Sequence, residues 1–140
     1  MIVQRELEFR ILYDLDDDWM SFGGFLAIVA EFRGMDTPPD EVAETIRWFA
    51  ETGLVALGAL SDNEYGWEAW NVGLDEAMKR IANGSTSGRG YKQAAGVAEL
   101  MTTEVFRANI TEKGGCRLAE LEKQGLTYWT TLGPFRSTRG

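Results

Sequence analysis

Three consecutive carboxylates, Asp16, Asp17 and Asp18, are the residue type that a hard cation such as calcium or magnesium takes. Adjacent side chains cannot all converge on one ion, and no EF-hand spacing follows. The run therefore reads as a solvated turn between two helices. The stretch GSTSGRG (residues 84–90), followed by Lys92, has the glycines and bases of a phosphate cradle. It lacks the Gly-x4-Gly-Lys-Ser/Thr order, and no buried strand leads into it. A flexible surface loop is the expectation, with Arg89 and Lys92 as its available phosphate contacts. Tyr65, Trp67 and Trp70 cluster beside Glu64 and Glu68. Tyr and Trp are enriched at protein-interface hot spots, so these three are the candidate protein-binding residues. The competing reading has Trp70, and with less force Trp67, anchoring this segment to the core. Cys116 falls in the first turn of an expected helix, where a thiol pKa can be lowered, with Lys113 and Arg117 near it. Without a base partner it reads as an incidental thiol.

The sequence contains no histidine and one cysteine. That excludes Ser-His and Cys-His catalysis, zinc sites with His or four Cys, and an internal disulfide framework. Twenty-two acidic residues offer many carboxylate pairs, yet nothing singles one out for glycosidase-like work. No catalytic residue, metal or cofactor is assigned, and the expectation is a protein that is not an enzyme.

The 140 residues, 44% of them hydrophobic, are enough for one domain with a real core. No apolar run approaches the roughly 18 residues of a membrane span. MIVQRELEF lacks the basic and apolar regions of a signal peptide, so the chain reads as cytoplasmic. Net charge is −8, unevenly spread: residues 1–80 hold 17 acids and 6 bases, residues 81–140 hold 5 acids and 8 bases. Nucleic acid attracts basic surface, so the first half should repel it unless its charges face away.

The elements that must carry these groups follow from periodicity and caps. Val3, Leu7, Ile11 and Leu15 recur every fourth residue and predict a first helix ending near DLDDDW. Ser21 is placed to cap a second helix carrying Phe22, Phe25, Leu26 and Val29, which Gly34 should end. Thr37 is placed to cap a third helix, with Pro38 at its first position and Val42, Ile46 and Phe49 inward. Gly53 reads as a left-handed stop before a short buried strand, LVALGAL. SDNEYG is turn-like, and GLDEAMKRIAN follows as a helix with Trp70, Leu74, Met78 and Ile81 on one face. AAGVAELMTTE suggests a short helix. A strand over 105–110, Thr111 as cap and a helix over 112–123 come next. The tail over about 125–140 should pack back as an aromatic, extended segment.

TIRWFAETGLVALGAL resembles the third helix and first wing strand of a winged helix. VFRANITEKGGCRLAEL resembles the second wing strand and following helix of MarR- and PadR-like regulators, with Phe106, Ile110, Thr111 and Gly114 at the motif positions. DLDDDWMSFGGFLAIVAEFRG, GLVALGALSDNEYGWEAW and GLDEAMKRIANG are also similar to small actinobacterial proteins of the kind shared with phages. The resemblance implies one mainly helical α+β domain over 1–140. It would be a winged helix-turn-helix with a small β-hairpin and a helical insertion over about 61–104. It departs from the regulators in the third helix, where Asp40, Glu41, Glu44 and Glu51 face a single base, Arg47. Recognition helices usually present Arg, Lys, Asn or Gln to base edges. A protein-binding regulatory module, of phage or host, is therefore the first expectation. The second is a DNA-binding regulator, in which Arg47 reads the groove and Arg89, Lys92, Arg136 and Arg139 contact phosphates. A homodimer is compatible with either.

Overall fold

The computed structural model describes residues 1–136. Within them the chain runs α1 (Arg5–Asp17), β1 (Met20–Ser21), α2 (Phe22–Arg33), α3 (Pro39–Glu51), β2 (Val55–Leu60), β3 (Trp67–Ala69), α4 (Leu74–Asn83), α5 (Val97–Thr102), β4 (Arg107–Ile110) and α6 (Glu112–Lys123), closing with a 3-10 turn at Trp129–Thr131. It is an α+β fold. The expected pair of strands is present as β2 and β4, antiparallel with Val55 opposite Ile110 and Leu57 opposite Ala108. It forms the middle of a larger sheet than the expected hairpin: β1 flanks β4 and β3 flanks β2, all antiparallel, in the order β1-β4-β2-β3.

Local sequence explains most boundaries. The Ser21 side chain accepts from Gly24 N–H at the start of α2, and Gly34 at its end has φ +103°, a conformation that favours glycine. α3 begins one residue later than its sequence suggests. Pro38 stands extended before Pro39, because the residue ahead of a proline is pushed out of the helical region. Thr37 then turns inward and donates to the Gly34 carbonyl at 2.7 Å. At the opposite end of the chain, Thr111 accepts from Gly114 N–H at 3.0 Å, and its hydroxyl donates to Gly53 O at 2.6 Å. One side chain thus caps α6 and ties it to the turn between α3 and β2. Gly114 lies so close to this turn that a Cβ there would stand 2.2 Å from Leu54 O.

The core is built around α1, whose residues 7–12 are all buried. Leu7, Phe9, Ile11 and Leu12 meet Phe22, Phe25 and Val29 of α2 and Leu118 and Leu121 of α6 in one cluster. Two of the six buried residues are charged, and each is paired. Glu8 receives a bidentate fork from Arg117 of α6, at 2.9 and 3.1 Å. Arg10, only 4% exposed, pairs with Glu31 of α2 at 2.5 Å and donates to the Thr131 carbonyl. The tail packs back, through a 3-10 turn where an extended segment was expected. The Arg10 and Arg136 guanidiniums both lie over the Tyr128 ring, 4.5 and 5.2 Å from its centre. Gly133 N–H reaches the Glu31 carboxylate, and Phe135 N–H reaches the Glu31 carbonyl.

The excursion between β2 and β4 carries α4 and α5, as its length suggests. Its glycine loop is pinned rather than free. Ser85 bridges Gly88 and donates to Val105 O at 2.9 Å, while Tyr91 and Lys92 N–H groups donate to the Ile81 and Ala82 carbonyls. A Cβ on Gly90 would stand 2.2 Å from Ala82 O, so the backbone of the loop lies flat against α4. Spacing of small residues could not reveal these anchors, because their partners are backbone carbonyls of other elements.

Two outcomes follow. Thr111→Val removes a cap and the bond to Gly53, and it should lower stability by about 2 kcal/mol in urea unfolding. Burial alone would raise the Glu31 pKa, but the Arg10 bond, the Gly133 N–H and the nearby Arg136 outweigh it and hold the carboxyl below its ordinary 4.5. A depressed folded pKa gives stability that is complete above pH 4.5 and is lost as pH falls through the folded value. Glu31→Gln should therefore cost about 3 kcal/mol near neutrality, where Arg10 loses its counter-charge. In a pH series of urea titrations, its deficit should shrink steadily below pH 4.5.

Candidate protein-interaction surface

The pleat divides the sheet into two faces. Met20, Ala108, Val55 and Leu57 point into the core. Ser21, Arg107, Gly58, Leu60, Trp67 and Ala69 alternate to the other side, by the register of the strands. This outer face is roofed by tryptophan. The Trp67 ring lies across β2 over Gly58, where a Cβ would stand 2.7 Å from it. Its Nε1–H donates to Arg107 O on β4 at 3.0 Å. A glycine at 58 is what lets an indole lie this low on the sheet.

Trp19, just before β1, approaches from the opposite edge. A Cβ on Gly66, in the β2–β3 turn, would stand 3.4 Å from Trp19 Cη2. The turn itself is organised by Asn63, whose side-chain oxygen accepts from Tyr65 and Gly66 N–H groups while its amide donates to Trp67 O. Tyr65 stands out from this turn, 75% exposed, and Leu60 is exposed beside it at the end of β2.

Trp19 also forms a wall of a concavity of about 740 Å³ beside β1. Tyr13, Met20 and Leu118 contribute apolar surface, and Asp14, Asp16, Asp17, Asp18 and Glu122 supply the charge. The one base on its lining is Arg107, already held by a bidentate bond to Glu104 at 2.6 and 2.8 Å. Glu104 first, and Asp18 more distantly, push the Arg107 pKa above its ordinary value. The Asp14 side chain reaches the mouth of the groove. Desolvation by the surrounding protein raises its pKa, with Arg10 opposing and Glu31 and Asp17 adding to the rise. Among the described residues no group of three or more acids, cysteines or histidines has metal-holding geometry. The Asp16–Asp18 run is the exposed end of α1, as a solvated turn would be.

The structure does not gather the three aromatic candidates into one patch. Trp67 lies on the outer face and Tyr65 beside it, whereas Trp70 packs against the core under the Arg80 guanidinium, 5.3 Å from its ring. Trp19, Leu60 and Arg107 belong to the outer face and were not singled out from sequence. The tryptophan immediately after three aspartates was the available signal, since an aromatic at the end of a solvated turn needs something to cover.

The basic candidates do not converge either. Arg47 is bonded to Glu51 at 2.8 Å and to Asp75 of α4 at 2.7 Å, and these bonds raise its pKa. Arg89 is 70% exposed, with Glu99 at 3.7 Å, and Lys92 is exposed near it on the excursion. Arg136 folds over Tyr128. Arg139 lies outside the described residues. On α3 the remaining charges, Asp40, Glu41, Glu44 and Glu51, are all acidic and exposed. No helix of the described residues is long and apolar enough to cross a membrane. No protein-family model, curated protein or solved structure matches the chain.

Tyr65→Ala should leave stability within about 0.5 kcal/mol, as at other exposed positions. Trp67→Ala should cost about 3 kcal/mol. Trp67→Phe, which keeps the ring but loses the bond to Arg107 O, should cost about 1 kcal/mol. Thermal and urea unfolding of the three variants separate a supporting tryptophan from a free tyrosine.

Proposed function

We propose that this chain is a non-enzymatic regulatory module that acts by binding another protein, on a winged-helix-like frame. The order of α1, α2, α3, β2, an excursion, β4 and α6 supports the frame, and so does the pairing of β1 with β4. The similarity to small actinobacterial and phage proteins makes a phage or host regulator the natural setting.

The observation that carries the reading is the solvent face of α3. In a winged helix this element would enter the major groove. Here its only base, Arg47, is occupied by Glu51 and Asp75, while Asp40, Glu41 and Glu44 also turn outward, Glu41 with Arg33 of α2 at 3.8 Å. Phosphates approaching that face meet like charge along its length, and binding to DNA rests chiefly on phosphate neutralisation. The excursion does not offset it, because over residues 61–104 its bases Lys79, Arg80, Arg89 and Lys92 are outnumbered by seven acids.

A titration of mixed genomic DNA fragments at low and at physiological salt tests this. No saturable binding is expected in either condition. Saturable binding at low salt that weakens steeply as salt rises would overturn the reading in favour of a DNA-binding regulator.

A further inference from the structure

Resting on the protein-binding reading, we infer that the outer face of the sheet, with the groove along β1, is the docking surface, and that its occupant is a basic segment of the partner protein. The surface has an exposed apolar centre. Tyr65 and Leu60 are exposed, and Trp19 and Trp67 are partly buried beside them. Trp19 makes this face continuous with the groove, whose exposed apolar side chain is Tyr13.

Charge selects the occupant. Carboxylates flank the apolar centre at both ends: Asp62 and Glu64 at the β2–β3 turn, and Asp16 and Asp17 at the groove. The nearby bases are engaged, Arg107 by Glu104 and Arg80 by the Trp70 ring. An acidic or nucleic-acid partner would meet repulsion from both ends. A segment bearing Arg or Lys between apolar residues would place its cations against the carboxylates. Its guanidiniums would also find indole and phenol faces, the surfaces on which such cations stack. The same carboxylates would steer a basic partner toward the face before contact.

The test uses the full chain and a short peptide alternating Arg and Leu, followed by tryptophan fluorescence at low and at physiological salt. Saturable one-to-one binding is expected. Glu64→Lys, Tyr65→Ala and Asp16→Lys, all exposed and free of structural bonds, should each weaken it about tenfold, or about 1.4 kcal/mol. Glu44→Lys on α3 and Glu76→Lys on α4 change the net charge as much as Glu64→Lys but lie elsewhere, and should leave affinity within about twofold. Equal loss in all the charge reversals would overturn the proposal, since it would show attraction to net charge alone. Absence of saturable binding at low salt would also overturn it. In a chain that fails to bind DNA, that result removes this docking surface and leaves the protein-binding reading standing. DNA binding removes the reading itself.

Discussion

A helix buried along six consecutive residues cannot hide charge without partners, and α1 carries two charged side chains inside that stretch. Ionised groups taken out of water cost several kcal/mol each unless they are bonded. Glu8 and Arg10 face different neighbours, and each draws an element of the fold to α1. Glu8 holds α6 through Arg117, and Arg10 holds α2 through Glu31. Glu31 then extends the network to the tail through the Gly133 N–H, while the Tyr128 ring meets both the Arg10 and Arg136 guanidiniums. The N-terminal helix, the C-terminal helix and the tail are distant in sequence, and these two pairs fix their arrangement. Hydrophobic burial alone does not, since leucines accept many packings whereas a bidentate fork accepts few.

The same arrangement determines where the sheet's outer face can be. With α1, α2 and α6 packed on the side of Met20, Leu57 and Ala108, the opposite side of β4 and β2 is left partly exposed. Two tryptophans cover part of it, one lying on Gly58 and the other reaching Gly66. A large side chain at 58 would lift the first off the sheet. The outer face is thus a thin aromatic layer over backbone, open at Tyr65 and Leu60.

Much of this was legible in the sequence. The fourth-residue ladders predict α1 and α4, the Thr111 cap marks the start of α6, and Ser21, Gly34 and Gly53 act at the other helix ends as their chemistry requires. Two strands escaped. β1 has two residues and β3 has three, too few to show an alternation, and both exist because a neighbouring strand pairs with them. Thr37 was misplaced by one position because two prolines in a row leave the choice of first helical residue to the backbone. The aromatic candidates were correct in type, but their distribution was not visible. Trp67 and Trp70 are an odd number of residues apart along an extended backbone, which sends them to opposite faces of the sheet. The pinned glycine loop was hidden for a similar reason, since its anchors are carbonyls of α4 and of Val105.

Charge counted along the chain was the least reliable guide, and the reason bears on function. The second half of the sequence carries more bases than acids, yet that excess does not form a basic surface. Arg107 is taken by Glu104, Arg117 reaches back to Glu8, and Arg136 lies on Tyr128. In the first half, Arg10 is interior and Arg47 is doubly bonded. Several bases are therefore used up as structural counter-ions, while the acids of α3, of the β2–β3 turn and of the groove keep facing solvent. Each of these pairs removes an acid along with its base, so the field outside the molecule is set by where the remaining acids lie, and around these elements it is negative. A field of that sign draws basic surfaces and turns polyanions away, and it does so most strongly at low salt.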